Sequence, residues 1–168
     1  DAGIVISASH NTFEYNGIKF FNGNGYKLDD LLEEKIEDII ISSINVNSHI
    51  TGDKIGKCLE AEENATGLYV KHLLDTVDYS LRGKKIVLDC ANGAAFQIAE
   101  KIYRELGAEV IVIGNQPNGV NINDGCGSTH PERMAETVKM SGADIGLAFD
   151  GDADRLIVAD EQGKVIDG

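Results

Sequence analysis

Phe149-Asp150-Gly151-Asp152-Ala153-Asp154-Arg155 is the stretch on which the reading of this chain turns. An apolar run, Ile145 to Phe149, leads into it, and a second, Leu156 to Val158, leads out. Carboxylates at every second position, spaced only by Gly and Ala, repel one another, and each disfavours ionisation of its neighbours. A cation among them removes that penalty. Hard divalent cations take oxygen ligands, and Mg2+ is held by a few carboxylates together with phosphate oxygens. Arg155 adds a planar fork suited to a phosphate. The competing reading is an acidic turn in a solvated loop, which seldom sets three Asp beside an Arg between two buried strands. A calcium loop does not fit, because its sixth position needs Gly and is Arg155 here.

Outward from that stretch, strands alternate with helices. Ala143 to Phe149 reads as a strand that follows a helix started by Pro131 and stopped at Gly142. Glu109 to Ile113 is the strand before it. That strand is preceded by a helix carrying Ala95, Ile98, Ile102 and Leu106, stopped at Gly107. Lys84 to Cys90 is a buried-type strand, and Asn64 to Val77 a helix. Alternation of this kind gives an α/β fold, with mixed or parallel sheets and crossover helices. Ligands gather at the carboxyl ends of such strands, where the acidic stretch sits. The turn Ala91-Asn92-Gly93 lacks the further glycines of a dinucleotide loop and the Gly-Lys-Ser/Thr of a phosphate loop, so it reads as a strand-to-helix turn.

Upstream the pattern is strand, polar loop, strand: Gly3 to Ser7, then Ser7-Ala8-Ser9-His10-Asn11, then Ile18 to Phe21 after the Asn16-Gly17 turn. Asp30 is read as opening a helix with Glu33 as its capping partner, and Leu32, Ile36, Ile39 and Ser43 follow at helical spacing. The polar stretch from Asn45 to Lys57 is read as a boundary, dividing the chain into 1–57 and 58–168.

Composition narrows the partners. The chain has 168 residues, a hydrophobic fraction of 42% and a net charge of −13. Nucleic acid and anionic membrane surfaces are therefore excluded as expected partners. Cys58, Cys90 and Cys126 are odd in number and far apart, which reads as reduced thiols and a cytoplasmic location. Cys126 and His130 fall short of the four ligands of a structural zinc site. No apolar run reaches the roughly 18 residues of a membrane helix, and nothing reads as a secretory leader. The start at Asp1, without Met, and the strand-like end read as a piece of a longer chain.

The polar loop carries the second motif. Ser9-His10-Asn11 lies between two strands, with Lys19 ten residues beyond Ser9. A serine needs a partner to act as nucleophile or phosphate carrier. His10 is adjacent, and Lys19 could return from the next strand. By itself the triplet is an ordinary polar turn; beside an acidic cation site, a phosphate on Ser9 supplies the missing oxygen ligand.

Ala8-Ser9-His10-Asn11, Asn16-Gly17-Ile18-Lys19 and Asp150-Gly151-Asp152-Ala153-Asp154-Arg155, in this order, resemble the α-D-phosphohexomutase superfamily. Asn121 to Glu132 and Asp89-Cys90-Ala91-Asn92-Gly93-Ala94-Ala95 further resemble its bacterial phosphoglucosamine mutase branch. The resemblance implies part of a multi-domain enzyme: the end of domain 1 with the phosphoserine loop, and domain 2 with the metal loop. It implies Ser9 as the phosphoserine; Asp150, Asp152, Asp154 and a phosphoserine oxygen as Mg2+ ligands; Arg155 and His10 near the phosphate; and Lys19 as a proton shuttle. Ser7 is the competing serine. The implied reaction is an intramolecular phosphotransfer, glucosamine 6-phosphate to glucosamine 1-phosphate through a bisphosphate, in an intact enzyme that could assemble as a homodimer. The fragment alone is expected to be inactive. A phosphomannomutase or phosphoglucomutase, or a non-catalytic metal-binding module, are the alternatives. Thr12 stands where the family usually has Pro, and Ala153 where it often has Gly.

Overall fold

The computed structural model describes residues 2–42, 52, 55–57, 59 and 64–166. The chain divides into two compact units, one made of residues 1–5 and 18–63, the other of 6–17 and 64–168. Most of the polar boundary stretch, and Cys58, lie outside the described residues.

The second unit is built on a five-stranded sheet of order β4-β3-β5-β6-β7. Its strands are β3 (Lys85–Asp89), β4 (Glu109–Ile113), β5 (Ile145–Phe149), β6 (Leu156–Asp160) and β7 (Val165–Ile166). β3 runs parallel to both β4 and β5, with Ile86 level with Val110 on one side and Ile145 on the other. β6 and β7 turn back antiparallel, so the sheet is mixed. The physical reason is length: six residues between β5 and β6 suffice for a hairpin, whereas a parallel return needs a crossover of a dozen or more.

β3 is flanked by strands on both sides, and its side chains alternate. Ile86, Leu88 and Cys90 pack with Ala95, Ala99, Val110 and Leu147 on one face. Val87 packs with Met134, Val138, Ala148 and Ala159 on the other. Each fully buried Val or Leu contributes about 1.5–3 kcal/mol. The covering helices are α3 (Ala99–Glu105), reached through a 3-10 turn at Ala94–Gln97, and α4 (Glu132–Ser141). α4 starts directly after Pro131 and ends at Gly142, whose φ of 66° supplies the left-handed helix stop that its sequence predicts. α2 (Ala65–Leu74) stops short of the expected Val77: the Thr76 hydroxyl donates to the Leu73 carbonyl at 2.6 Å, taking an orphan acceptor of the last turn.

β1 (Gly3–Ser7) and β2 (Gly17–Phe21) form a two-stranded sheet. α1 (Asp30–Ser42) belongs to the first unit. Its cap is Asp29, not the predicted Asp30–Glu33 pair: Asp29 Oδ1 accepts from the Leu32 amide at 3.1 Å. Glu33 instead pairs with Lys27 Nζ at 3.3 Å. Leu31, Leu32, Ile39, Ile40 and Ile41 of this helix are exposed. Among the described residues no helix is long and apolar enough to cross a membrane.

Candidate active site

The three parallel strands deliver their carboxyl ends to one edge of the second unit. There Asp89, fully buried at the end of β3, accepts from the amides of Ala91 and Gly127, each at 3.0 Å. One carboxylate thus ties the turn after β3 to the long loop before α4. Ser128 donates to the Phe149 carbonyl at 2.8 Å, fastening that loop to the end of β5. Burial pushes the Cys90 thiol up to about 12 and the Cys126 thiol up to about 11, aided in both by the Asp89 charge, so both are protonated at neutral pH.

The acidic loop follows β5. Asp150 is fully buried, and its Oδ1 accepts from the amides of Asp154 and Arg155, both at 3.1 Å. That leaves Asp150 Oδ2 buried with no hydrogen-bond partner. One carboxylate oxygen from each of Asp150, Asp152 and Asp154 lies within 4.8 Å of the others. Burial raises the Asp150 carboxyl above its ordinary value; the Arg155 amide opposes this, and the charges of Asp152 and Asp154 add to it. An unpaired oxygen on a buried carboxylate is costly without a positive partner. The donor set is hard and all-oxygen, so a divalent cation fits these residues. Arg155 is exposed, its Nε 4.0 Å from Asp154 Oδ1.

The serine loop lies against this acidic loop. The Ser7 hydroxyl donates to Asp152 Oδ2 at 2.9 Å, and Ser7 Oγ accepts from the Ser9 amide at 2.9 Å. His10 Nδ1 stands 3.4 Å from Ser9 Oγ. Asn123 Nδ2 donates to the carbonyls of Ser9 and Asn11 at 2.8 and 2.7 Å. Gly151 sits so close to the loop that a Cβ there would collide with the Ser9 carbonyl oxygen and stand 2.6 Å from Asn123 Nδ2. Gly93 is packed as tightly on Gly151, whose carbonyl accepts from the Ala94 amide at 2.8 Å.

Ser9, His10, Asp150, Asp152, Asp154 and Arg155 are therefore collected in one unit. Lys19 belongs to the first unit, on β2, where it lines an open groove of about 660 Å³ with Lys27, Glu33 and Ile36. The hydroxyl of Ser7, the competing serine, is engaged on both sides, as donor and as acceptor. Asn123 stands in the Asn121–Glu132 stretch that carries the resemblance, but sequence reasoning assigns it no role, because its partners lie more than a hundred residues away.

Backbone strain marks the same place. Six non-glycine residues among those described have positive φ, and Ser9 (50°), Ala91 (53°), Asn92 (49°), Asn123 (56°) and Ala153 (61°) all belong to these loops. Each such residue costs on the order of 1–3 kcal/mol, and such residues cluster at functional sites. The φ of Ala153 explains why Gly suits that position. Thr12 holds φ −73°, a value proline would also take, so the backbone there keeps a proline-like course without the ring.

The family model described as phosphoglucomutase/phosphomannomutase, alpha/beta/alpha domain II, matches residues 67–163, and that of domain I matches residues 1–46. A phosphoglucosamine mutase of Clostridium novyi (strain NT) is 55% identical over all 168 residues, and one of Acetivibrio thermocellus is 54% identical. The chain spans 37% of the length of each of these curated relatives. A solved phosphoglucomutase/phosphomannomutase family protein from Burkholderia thailandensis superposes with a TM-score of 0.73 at 27% identity, over 99% of this chain and 35% of that one.

Proposed function

The chain belongs to the phosphoglucomutase/phosphomannomutase family, and on that premise we propose that the intact protein is a phosphoglucosamine mutase. It interconverts glucosamine 6-phosphate and glucosamine 1-phosphate in the cytoplasm, with residues 1–57 closing domain 1 and 58–168 forming domain 2. The observation that carries this reading is the hydrogen bond from Ser7 to Asp152, which joins the serine loop to the acidic loop.

In this reading Ser9 Oγ bears a phosphoryl group. The P–Oγ bond breaks as a sugar hydroxyl oxygen bonds to phosphorus; Lys19, the proton shuttle of this reading, takes the hydroxyl proton, and the freed Ser9 Oγ takes up a proton in its place. The product is a sugar bisphosphate, which gives its other phosphoryl group back to Ser9. Asp150, Asp152 and Asp154, with a phosphoserine oxygen, would hold Mg2+. That ion supplies charge neutralisation for the transferring phosphoryl group, the main demand of such a reaction. Asp150 is pre-set for this by its two backbone amides, which fix one oxygen and leave the other to ligate. Ser7 holds Asp152 and the Ser9 amide in register. Arg155 meets the phosphate, and His10 stands beside the carrier hydroxyl.

The test is a substrate panel on the intact protein. Highest kcat/KM with the glucosamine phosphates, and none above background in Ser9→Ala, is the expected result. A preference for mannose or glucose phosphates would move the protein to another branch of the family. Full activity of Ser9→Ala would leave only a cation-binding role for the acidic loop.

A further inference from the structure

We propose that Asn123 is a positioning residue, a two-handed clamp that holds the serine loop in its reactive conformation; the inference rests on the mutase reading of Ser9. Asn123 is 3% exposed and lies on the long loop before α4, far in sequence from what it holds. Its Nδ2 donates to the carbonyl of Ser9 and to that of Asn11, one on either side of His10. Two carbonyl acceptors at 2.8 and 2.7 Å also decide the amide orientation, since the flipped amide would set oxygen against oxygen. The clamp is itself fixed: the Asn123 amide donates to the Ala91 carbonyl at 2.9 Å, and its φ of 56° is one that Asn tolerates better than most residues.

The geometry fits a positional part and no direct chemical one. Both donor hydrogens are spent on backbone carbonyls, and Oδ1 is buried with no partner. Ser9 is left-handed, at φ 50°, a conformation that a free serine abandons. Ser7 holds the amide side of Ser9 and Asn123 holds its carbonyl side, so the two anchors bracket the residue whose hydroxyl must meet the acidic loop. The Ser7 anchor is read from the same structure, but Asn123 differs in reaching the loop from the 115–130 segment that the proposed chemistry leaves without a part.

Asn123→Gly and Asn123→Asp of the intact protein test this. Glycine keeps the left-handed backbone and removes the amide; aspartate keeps shape and backbone but sets a carboxylate against two carbonyls. Both should lower kcat by about 10²-fold, the scale of a loss from displacing a reacting group by about 1 Å, with the KM for glucosamine 6-phosphate unchanged. Amide hydrogen exchange should rise in the peptide spanning residues 7–12 and stay as it was in β3. Wild-type kcat in both variants overturns the clamp. So does a rise in exchange across β3, which would make Asn123 a residue of general stability. Ser9→Ala in the same series separates the failures: if it is active, the mutase reading falls, while the exchange at residues 7–12 still reports on the tether.

Discussion

Asp150→Asn is expected to lose divalent-cation binding and keep its fold. The two oxygens of Asp150 have separate tasks. Oδ1 accepts from the amides of Asp154 and Arg155 and so shapes the loop; Oδ2 is buried without a partner. Asparagine can keep its oxygen on the two amides and must then present an NH2 where a cation needs an oxygen. The loss should exceed the roughly 10–100-fold that follows removal of an outer-shell partner, and turnover by the intact protein should fall with it. Asp150→Ala differs: it also removes the acceptor from the amides of Asp154 and Arg155, at about 0.5–1.5 kcal/mol for each hydrogen bond lost. Calorimetric titration with Mg2+ and thermal unfolding, on both variants, separate the two tasks. The pH dependence has a definite sign. Burial, with the charges of Asp152 and Asp154, raises the Asp150 carboxyl, so protons compete for it earlier than for an ordinary aspartate. Cation affinity in the wild type should fall as pH is lowered, because binding displaces that proton. Unchanged Mg2+ affinity in Asp150→Asn would remove the acidic loop from the metal chemistry.

Gly151→Ala should damage both rate and stability. The added Cβ would collide with the Ser9 carbonyl oxygen and lie 2.6 Å from Asn123 Nδ2 and 2.9 Å from Ile122 Cδ1. Two of these three belong to the clamped serine loop or to its clamp, so relief must come from moving Ser9 away from the acidic loop. A displacement of about 1 Å costs on the order of 10²-fold in rate, and overpacking typically costs about 1–3 kcal/mol in stability. Steady-state kinetics and thermal unfolding of the intact variant measure both. Wild-type kcat in Gly151→Ala would mean that the approach of the two loops has no part in catalysis.

Much of this was legible before any coordinates. β1 and β4 have the bounds that their β-branched runs predict, and α4 has its Pro131 start and Gly142 stop. Local chemistry sets those features: strand propensity, a missing N–H, a left-handed stop. The acidic triad was legible for the same reason, since three like charges in five residues carry their own electrostatic argument. What was not legible is what depends on contacts between distant segments. The hydrogen bond from Ser7 to Asp152 spans 145 positions, and no local pattern separates Ser7 from Ser9. Asn123 stands in a stretch that carries the family resemblance, yet nothing local points to its partners at Ser9 and Asn11. The cap of α1 was displaced by one residue, from Asp30 to Asp29, because adjacent aspartates offer equal side chains and only the backbone course selects between them.

Whether Ser9 carries phosphate is the most direct question to put to the intact protein. Intact-mass measurement with peptide mapping should find a phosphate-sized increment on Ser9, absent in Ser9→Ala and still seated on Ser9 in Ser7→Ala, since the Ser7 hydroxyl is already held between Asp152 and the Ser9 amide. Phosphate found on Ser7, or an unmodified Ser9 in a protein that turns over at full rate, would contradict the account.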